Sequence, residues 1–168
     1  SMGDGGGVYV WGNADVQGAL FRENYCSSSG AGLHVNNGNL VMTDTDFYSN
    51  TAENYYAGGL YVYNDATITG GRFQGNYSGD EGGAYYGSSG SLTATGTEFV
   101  GNTAVASGGG AFVETGVALD QVLFQDNWSG EDGGAVYQNY GELFVQRSRF
   151  INNYADGYAG ALYHSGES

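Results

Sequence analysis

The chain has 168 residues with 18 acidic and 4 basic side chains, which gives a formal net charge of −14. A chain this acidic lacks the basic side chains that bind a phosphate backbone, which excludes nucleic acid as a partner, and no run of about 18 apolar residues is present that would insert into a membrane. The 32 glycines without a collagen period exclude collagen, the 15 tyrosines argue against disorder, and the single cysteine excludes an internal disulfide framework.

A first motif, Phe-x-x-Asn, occurs six times, and the steps between its phenylalanines are 26, 26, 26, 25 and 26 residues. Ser1 and Met2, which precede the repeats, are interpreted as a remnant of expression. The copies run from Phe21 to Asn24, Phe47 to Asn50, Phe73 to Asn76, Phe99 to Asn102, Phe124 to Asn127 and Phe150 to Asn153. A regular period of this length is typical of a repeat protein, whose units bury their apolar faces only by stacking on one another.

A second motif recurs with the same period and consists of three small residues, an apolar residue and then usually a tyrosine. Its copies begin at Gly5, Gly30, Ala57, Gly82, Gly109, Gly133 and Ala159. Glycine at such positions lets two walls approach closely or supplies a positive φ at a corner, so we interpret this motif as structural.

Each unit is predicted to contain three short strands, because Gly, Thr, Asn, Ser and Tyr dominate it and are poor helix formers. One strand follows the glycines, as in residues 60–63, one precedes the phenylalanine, as in residues 66–69, and one surrounds the phenylalanine. Apolar residues in the middle strand alternate with mostly polar neighbours, which indicates one inward face. These are Val16, Met42, Ile68, Ala94, Leu119 and Val145. The sequence therefore predicts an all-β parallel β-helix (solenoid) of about six coils of 26 residues, in which each coil adds about 4.8 Å.

Both ends of the first motif are predicted to form internal structural ladders. Stacked phenylalanines make an aromatic ladder, and the asparagines make a second ladder at a bend, where each amide bonds the neighbouring coil. Asn76 and Asn127 also begin Asn-x-Ser glycosylation patterns. Because both belong to the inward ladder, we expect them to remain unmodified.

The alternation of Gly-Gly-Ala-aliphatic with Phe-x-x-Asn resembles the repeats of the chlamydial polymorphic outer membrane proteins. The best matches are Gly133-Gly134-Ala135-Val136 and Phe124-Gln125-Asp126-Asn127, and the resemblance extends from Gly5 to Tyr163. It implies a right-handed parallel β-helix in a surface-exposed, autotransporter-passenger-like region associated with adhesion. An extracellular or cell-surface location follows from the same resemblance.

Residues 3–168 are predicted to form a single β-helix repeat domain. The open ends of a β-helix are bare strand edges that invite pairing. We therefore expect either that the chain is a piece of a longer solenoid or that its ends are covered by end-to-end self-association.

The position after the apolar residue of the second motif is predicted to point outward, because side chains alternate along a strand. It holds Tyr9, His34, Tyr61, Tyr86, Val113, Tyr137 and Tyr163. A row of aromatic rings about 4.8 Å apart is a candidate binding site for a cell-surface glycan or a protein partner. The alternative is that the stacked tyrosines only strengthen the sheet through cross-strand pairs.

Acidic residues cluster in the loop just before the glycines. The candidate set is Asp80, Glu81, Glu131, Asp132 and Asp156. Carboxylate oxygens stacked on one edge are ligands that Ca²⁺ prefers, which makes this edge a candidate calcium site. The alternative is a solvated acidic loop that keeps the protein soluble, and no other cofactor is expected.

Catalysis by this segment is not expected. The chain has no lysine, its arginines lie at different offsets of the repeat, and its acid pairs lie in loops without a neighbouring histidine or arginine. Hydrolysis of a glycosidic bond needs two carboxyl groups that face each other across the substrate. We therefore predict a non-catalytic extracellular binding, adhesion or scaffold module, with a carbohydrate-active β-helix (polysaccharide-binding or lyase-like) as the alternative.

Overall fold

The computed structural model describes residues 1–166, which form short β-strands joined by turns. Its 25 strands, numbered β1 to β25 in chain order, wind into a parallel β-helix with four sheets. None of the described residues forms a helix that would span a membrane. Positions 167 and 168 of the predicted domain lie outside the described residues.

Sheet A contains seven strands, one from each successive turn of the chain. In order of pairing they are β1 (Val8–Trp11), β5 (Leu33–Asn36), β9 (Leu60–Val62), β13 (Tyr85–Gly87), β17 (Ala111–Val113), β21 (Val136–Gln138) and β25 (Leu162–His164). Sheet B follows sheet A along the chain in every coil. Its strands are β2 (Ala14–Gln17), β6 (Leu40–Thr43), β10 (Ala66–Thr69), β14 (Leu92–Thr95), β18 (Val117–Asp120) and β22 (Leu143–Gln146).

Sheet C carries the phenylalanines of the first motif. Its strands are β3 (Leu20–Arg22), β7 (Asp46–Tyr48), β11 (Arg72–Gln74), β15 (Glu98–Val100), β19 (Leu123–Gln125) and β23 (Arg149–Ile151). Sheet D consists of two-residue strands that follow the asparagine bend. They are β4 (Tyr25–Cys26), β8 (Thr51–Ala52), β12 (Tyr77–Ser78), β16 (Thr103–Ala104), β20 (Trp128–Ser129) and β24 (Tyr154–Ala155).

The predicted all-β solenoid with a 26-residue period is confirmed, because each strand pairs in parallel with the equivalent strand of the next coil. In sheet B, for example, Ile68 pairs with Met42 on one side and with Ala94 on the other. The three predicted strands per coil correspond to sheets A, B and C. Sheet D was not predicted, because a two-residue strand is too short to show an alternating pattern.

The interior of the coils is apolar along its length. In β10, Ile68 points inward and is buried, whereas Thr67 points outward and is exposed. The phenylalanines of sheet C stack face to face, and the rings of Phe47 and Phe73 have centroids 4.6 Å apart and planes 2° apart. Each aromatic pair of this kind contributes about 0.5–1.5 kcal/mol beyond the burial of its area. The stack extends without a break through the predicted residues Phe21, Phe47, Phe73, Phe99, Phe124 and Phe150.

The asparagines form a hydrogen-bonded ladder at the bend between sheets C and D. The side-chain amide of Asn76 donates to the carbonyl oxygen of Phe47 (3.0 Å) and to Oδ1 of Asn102 (2.9 Å). Its own Oδ1 accepts from the backbone N–H (3.0 Å) and the side-chain amide (2.9 Å) of Asn50. The same side-chain contact joins every successive pair of the predicted ladder, Asn24, Asn50, Asn76, Asn102, Asn127 and Asn153.

One copy of the second motif is displaced by one residue from its predicted position. The left-handed corner that Gly82 and Gly133 occupy, with φ of 67° and 65°, is taken in the intervening coil by Gly108, with φ of 73°. The motif there begins at Gly108 rather than at Gly109, because the chain offers three consecutive glycines before Ala111. The outward position of this coil is consequently Phe112, and the predicted Val113 points inward and is fully buried.

A further polar ladder, which sequence analysis missed, lies at the corner between sheets A and B. Oδ1 of Asn13 accepts from the backbone N–H of Asn39 at 2.9 Å, and Oδ1 of Asn39 accepts from that of Asp65 at 3.3 Å. Asp65 in turn accepts from the backbone N–H of Ser91 at 2.9 Å. The signal in the sequence is a short polar residue that recurs every 26 positions, but it lies in a turn, where polar residues are common for other reasons.

Substitution of Asn76 by alanine should lower the free energy of unfolding by about 3 kcal/mol or more, because it leaves several polar groups unpaired in the interior. The matched control is Asn24→Ala, whose half-buried amide bonds only Asn50 and whose loss should cost about 1 kcal/mol. Urea unfolding followed by tryptophan fluorescence measures both. Equal losses in the two variants would contradict the ladder as the main support of the interior.

Candidate functional site

The outer face of sheet A carries an uninterrupted stack of aromatic rings. The strand register places the outward residue of each coil directly above that of the next, as for His34 and Tyr61. Successive ring centroids are separated by 5.0, 4.2, 5.5, 5.1, 4.8 and 5.1 Å. The members of this outer stack are Tyr9, His34, Tyr61, Tyr86, Phe112, Tyr137 and Tyr163.

The geometry of this stack corrects the expected row of free ring faces. In the middle of the row the exposed fractions are 4% for His34, 6% for Tyr86 and 3% for Phe112. The rings lie face to face with their neighbours, so their faces are already covered and only ring edges reach solvent. At the first coil, Tyr9 keeps 44% of its surface exposed. A sugar ring therefore has little aromatic face available at the centre of the stack.

A loop adds a second aromatic layer over part of the outer stack. Tyr56, in the turn that precedes β9, stacks on Tyr86 with centroids 4.3 Å apart, and Tyr55 meets Tyr56 edge-on. Ala57 completes a small apolar cluster there, separate from the interior core. Sequence analysis missed Tyr56 because the equivalent position in most other coils is not aromatic.

The aromatic side chains that do expose large surfaces flank the outer stack. On the side toward sheet B they come from the second outward position of the strands and from the following turn. On the side toward sheet D they come from the loops before the glycines. This aromatic margin consists of Trp11 (70% exposed), Tyr55 (53%), Tyr63 (39%), Tyr140 (46%) and Tyr158 (73%).

Glu81, a carboxyl group with a raised pKa, lies in the loop at the edge of sheet A. The pKa of Glu81 is raised to about 7, mainly by burial and in addition by the nearby carboxylates of Asp80 and Glu114. The pKa of Asp80 is also raised, mainly by burial. The pKa of Tyr86, a member of the aromatic cluster, is raised by burial and then by the charge of Glu81. Glu81 can therefore gain or lose a proton near neutral pH.

The acids assigned to calcium are not assembled into a metal site. Within residues 1–166 no three histidine, cysteine or acidic side chains lie together as a metal-binding group. Asp132 is engaged by the backbone instead, since its Oδ1 accepts from the N–H of Tyr158 at 2.6 Å. Glu131 and Asp156 are exposed. The predicted set of Asp80, Glu81, Glu131, Asp132 and Asp156 is thus distributed along the loops rather than gathered around one point.

The family described as right handed beta helix region matches residues 3–167. The chain belongs to this family. The handedness implied by the repeat motifs is thereby confirmed. Comparisons with curated proteins and with solved structures give no significant match.

Two further titratable side chains of this right-handed β-helix, His34 and Cys26, are buried. Burial lowers the pKa of His34, and its Nδ1 lies 3.1 Å from the carbonyl oxygen of Ser29, an acceptor to which it donates. The outer stack therefore carries a neutral imidazole at neutral pH. Burial raises the pKa of the Cys26 thiol, which disfavours the reactive thiolate.

Glu81 should make the stability of the β-helix depend on pH. Its pKa in the folded protein, about 7, lies above the ordinary value of 4.5, so stability falls as the pH rises between these values. Glu81→Gln removes this penalty and should stabilise the protein at about pH 8 by about 1–2 kcal/mol, a figure reduced for partial exposure, with no gain at about pH 4. Thermal unfolding across this pH range measures the difference. Asp15→Asn, an exposed carboxylate on sheet B, is the control, and an equal pH dependence of both variants would refute the assignment to Glu81.

Proposed function

We propose that this right-handed β-helix is a non-catalytic extracellular binding or scaffold module whose recognition surface is the aromatic margin of sheet A. The observation that carries the proposal is the exposure of Trp11, Tyr63 and Tyr158, which take no part in the interior core. Trp and Tyr are enriched at recognition surfaces because one side chain offers a large apolar area together with a polar group.

The stack beneath the margin supports this role. Tyr61 and Tyr86 are held between neighbouring rings, so the surface around them is rigid before a ligand arrives. A preorganised surface loses little conformational entropy on binding, which favours affinity. The interior Phe and Asn ladders maintain the fold independently, so the outer face is free to vary.

The net charge narrows the choice of partner. A chain with a net charge of −14 repels anionic surfaces, which favours a neutral glycan or a protein with basic groups. The resemblance of the repeats to those of the chlamydial polymorphic outer membrane proteins supports adhesion at a cell surface. We include that location and that role in the proposal.

The proposal is tested by a screen against glycan arrays and immobilised polysaccharides, with and without Ca²⁺. The triple variant Trp11→Ala/Tyr63→Ala/Tyr140→Ala should lose at least about tenfold in affinity, as expected when aromatic anchors are truncated. The matched control is Tyr25→Ala/Tyr77→Ala/Tyr154→Ala, which removes exposed tyrosines from sheet D (47%, 37% and 59% exposed). Equal loss in both folded triple variants would contradict a localised site on sheet A, and calcium-dependent binding would bring in the acidic loops.

A carbohydrate-active role is the second candidate function, and Glu81 is the observation that favours it. A carboxyl group with a pKa of about 7 beside tyrosines has the proton affinity that a general acid or base needs at neutral pH. Its partner carboxylate would be Glu114, which raises the same pKa.

Turnover of neutral polysaccharides and polyuronates, followed as new reducing ends or as unsaturated products, separates the two functions. The binding module should show none. Glu53 is an exposed carboxylate in the equivalent loop of the preceding coil. Turnover that is abolished in Glu81→Gln and retained in Glu53→Gln would instead establish the enzyme.

A further inference from the structure

A groove of about 420 Å³ lies on the outer face of sheet B and in the turns that precede its strands. A second depression of about 210 Å³ adjoins it and shares Thr93, Ala118 and Phe144. The main groove is formed by side chains from three successive coils. Its principal wall residues are Ser91, Thr93, Thr115, Ala118, Glu142 and Phe144.

The groove exists because neighbouring coils carry outward side chains of very different size. In the register of sheet B, Thr93 pairs with Ala118, and Ala118 pairs with Phe144. Ala118 contributes only a methyl group on one side of Phe144, and β22 is the last strand of sheet B on the other side. The ring of Phe144 therefore stands above the sheet with 56% of its surface exposed. The depression lies on the side of the ring that faces β18 and β14, within the paired part of the sheet.

Two glycines keep one end of the groove open. A Cβ atom added to Gly116 would lie 3.0 Å from Oγ of Ser91, and one added to Gly141 would lie 2.9 Å from the backbone N of Gly116. Gly141 also has φ of 86°, which disfavours any side chain there. The hydroxyl groups of Ser91 and Thr115, 3.4 Å apart, are thereby left accessible in the same groove as Phe144.

The polar groups around the ring are hydroxyls and carboxylates. Glu142 is exposed at the rim. Arg147, the nearby basic side chain, is paired with Asp120 through Nε at 2.8 Å. An anionic ligand would meet no available positive charge here, whereas a neutral ligand with many hydroxyl groups would find both donors and acceptors.

We propose that this groove binds a short neutral oligosaccharide, with the apolar face of one pyranose ring on Phe144. The hydroxyl groups of the oligosaccharide hydrogen-bond to the side chains of Ser91 and Thr115 and to the carboxylate of Glu142. The volume of about 420 Å³ lies in the range of small-molecule sites and accommodates a few sugar rings. This site goes beyond the proposed function, because it shares no residue with the aromatic margin and is specific for a short neutral oligosaccharide.

The test is titration of the isotope-labelled protein with cellohexaose, maltohexaose, xylohexaose and mannohexaose, with hexagalacturonate as the anionic comparison, followed by amide NMR. At least one neutral hexasaccharide should shift the amides of Thr93, Gly116 and Gly141 at millimolar concentration. Phe144→Ser removes the platform and Ala118→Leu fills the groove, so each should weaken binding by about tenfold or more. Both positions point outward, and circular dichroism verifies the fold of each variant. Tyr77→Ser, which removes an exposed ring from sheet D, is the control that should bind as wild type.

Several results overturn the assignment. They are the absence of amide shifts with all four neutral sugars, unchanged affinity in both groove variants, and tighter binding of hexagalacturonate. Shifts that map to Trp11 and Tyr63 instead would overturn this groove and leave the proposed function standing. Shifts in the groove that survive loss of the aromatic margin would support the groove and count against the margin as the recognition surface.

Discussion

The asparagine ladder is the interaction on which the rest of the structure depends, because it fixes the vertical register of the coils. Asn76 joins two neighbouring coils through both its backbone and its side chain, and no other residue type offers a donor and an acceptor of the same reach at that bend. Once each asparagine lies above the next, Phe73 must lie above Phe47, and every strand must pair with its equivalent in the following coil. A slip of one residue would turn each inward side chain outward.

This register also determines what the outer surface can do. Because identical positions align at the spacing of paired strands, a recurring outward aromatic residue becomes a closed stack, and its ring faces are consumed by contacts within the protein. His34, Tyr86 and Phe112 are nearly as buried as the interior core for this reason. A ligand can therefore be recognised only at positions of the repeat where the type of outward side chain differs from one coil to the next. The column that holds Trp11 and Tyr63 also holds Asn36 and Glu114, so its aromatic rings stay apart and keep their surface.

The alignment of equivalent positions also explains which structural features could be predicted from the sequence. Recurrence at 26 residues predicted the solenoid, the Phe and Asn ladders and the alternation in sheet B, because these depend only on position within the coil. The three glycines from Gly108 to Gly110 allowed two alignments, and only the backbone angle of Gly108 shows which one is used. The raised pKa of Glu81 depends first on its burial and then on carboxylates that include Glu114 in another coil. The fully buried Tyr85 fits because Gly87 has no side chain near the phenol oxygen. Such relations between unlike neighbours have no periodic signal in the sequence.

On a β-helix, ligand-binding sites are therefore expected where side chains differ from the equivalent residues of neighbouring coils. A β-helix made of identical coils has flat, uniform faces, and a cavity can form only where successive coils differ in side-chain size. Ala118 beneath Phe144 is such a step, and the outward residues Val41 and Thr67 further along the same column are of similar size and leave no comparable step between them. The regular residues maintain the rod, and the irregular ones are free to be selected for a ligand without cost to the interior ladders.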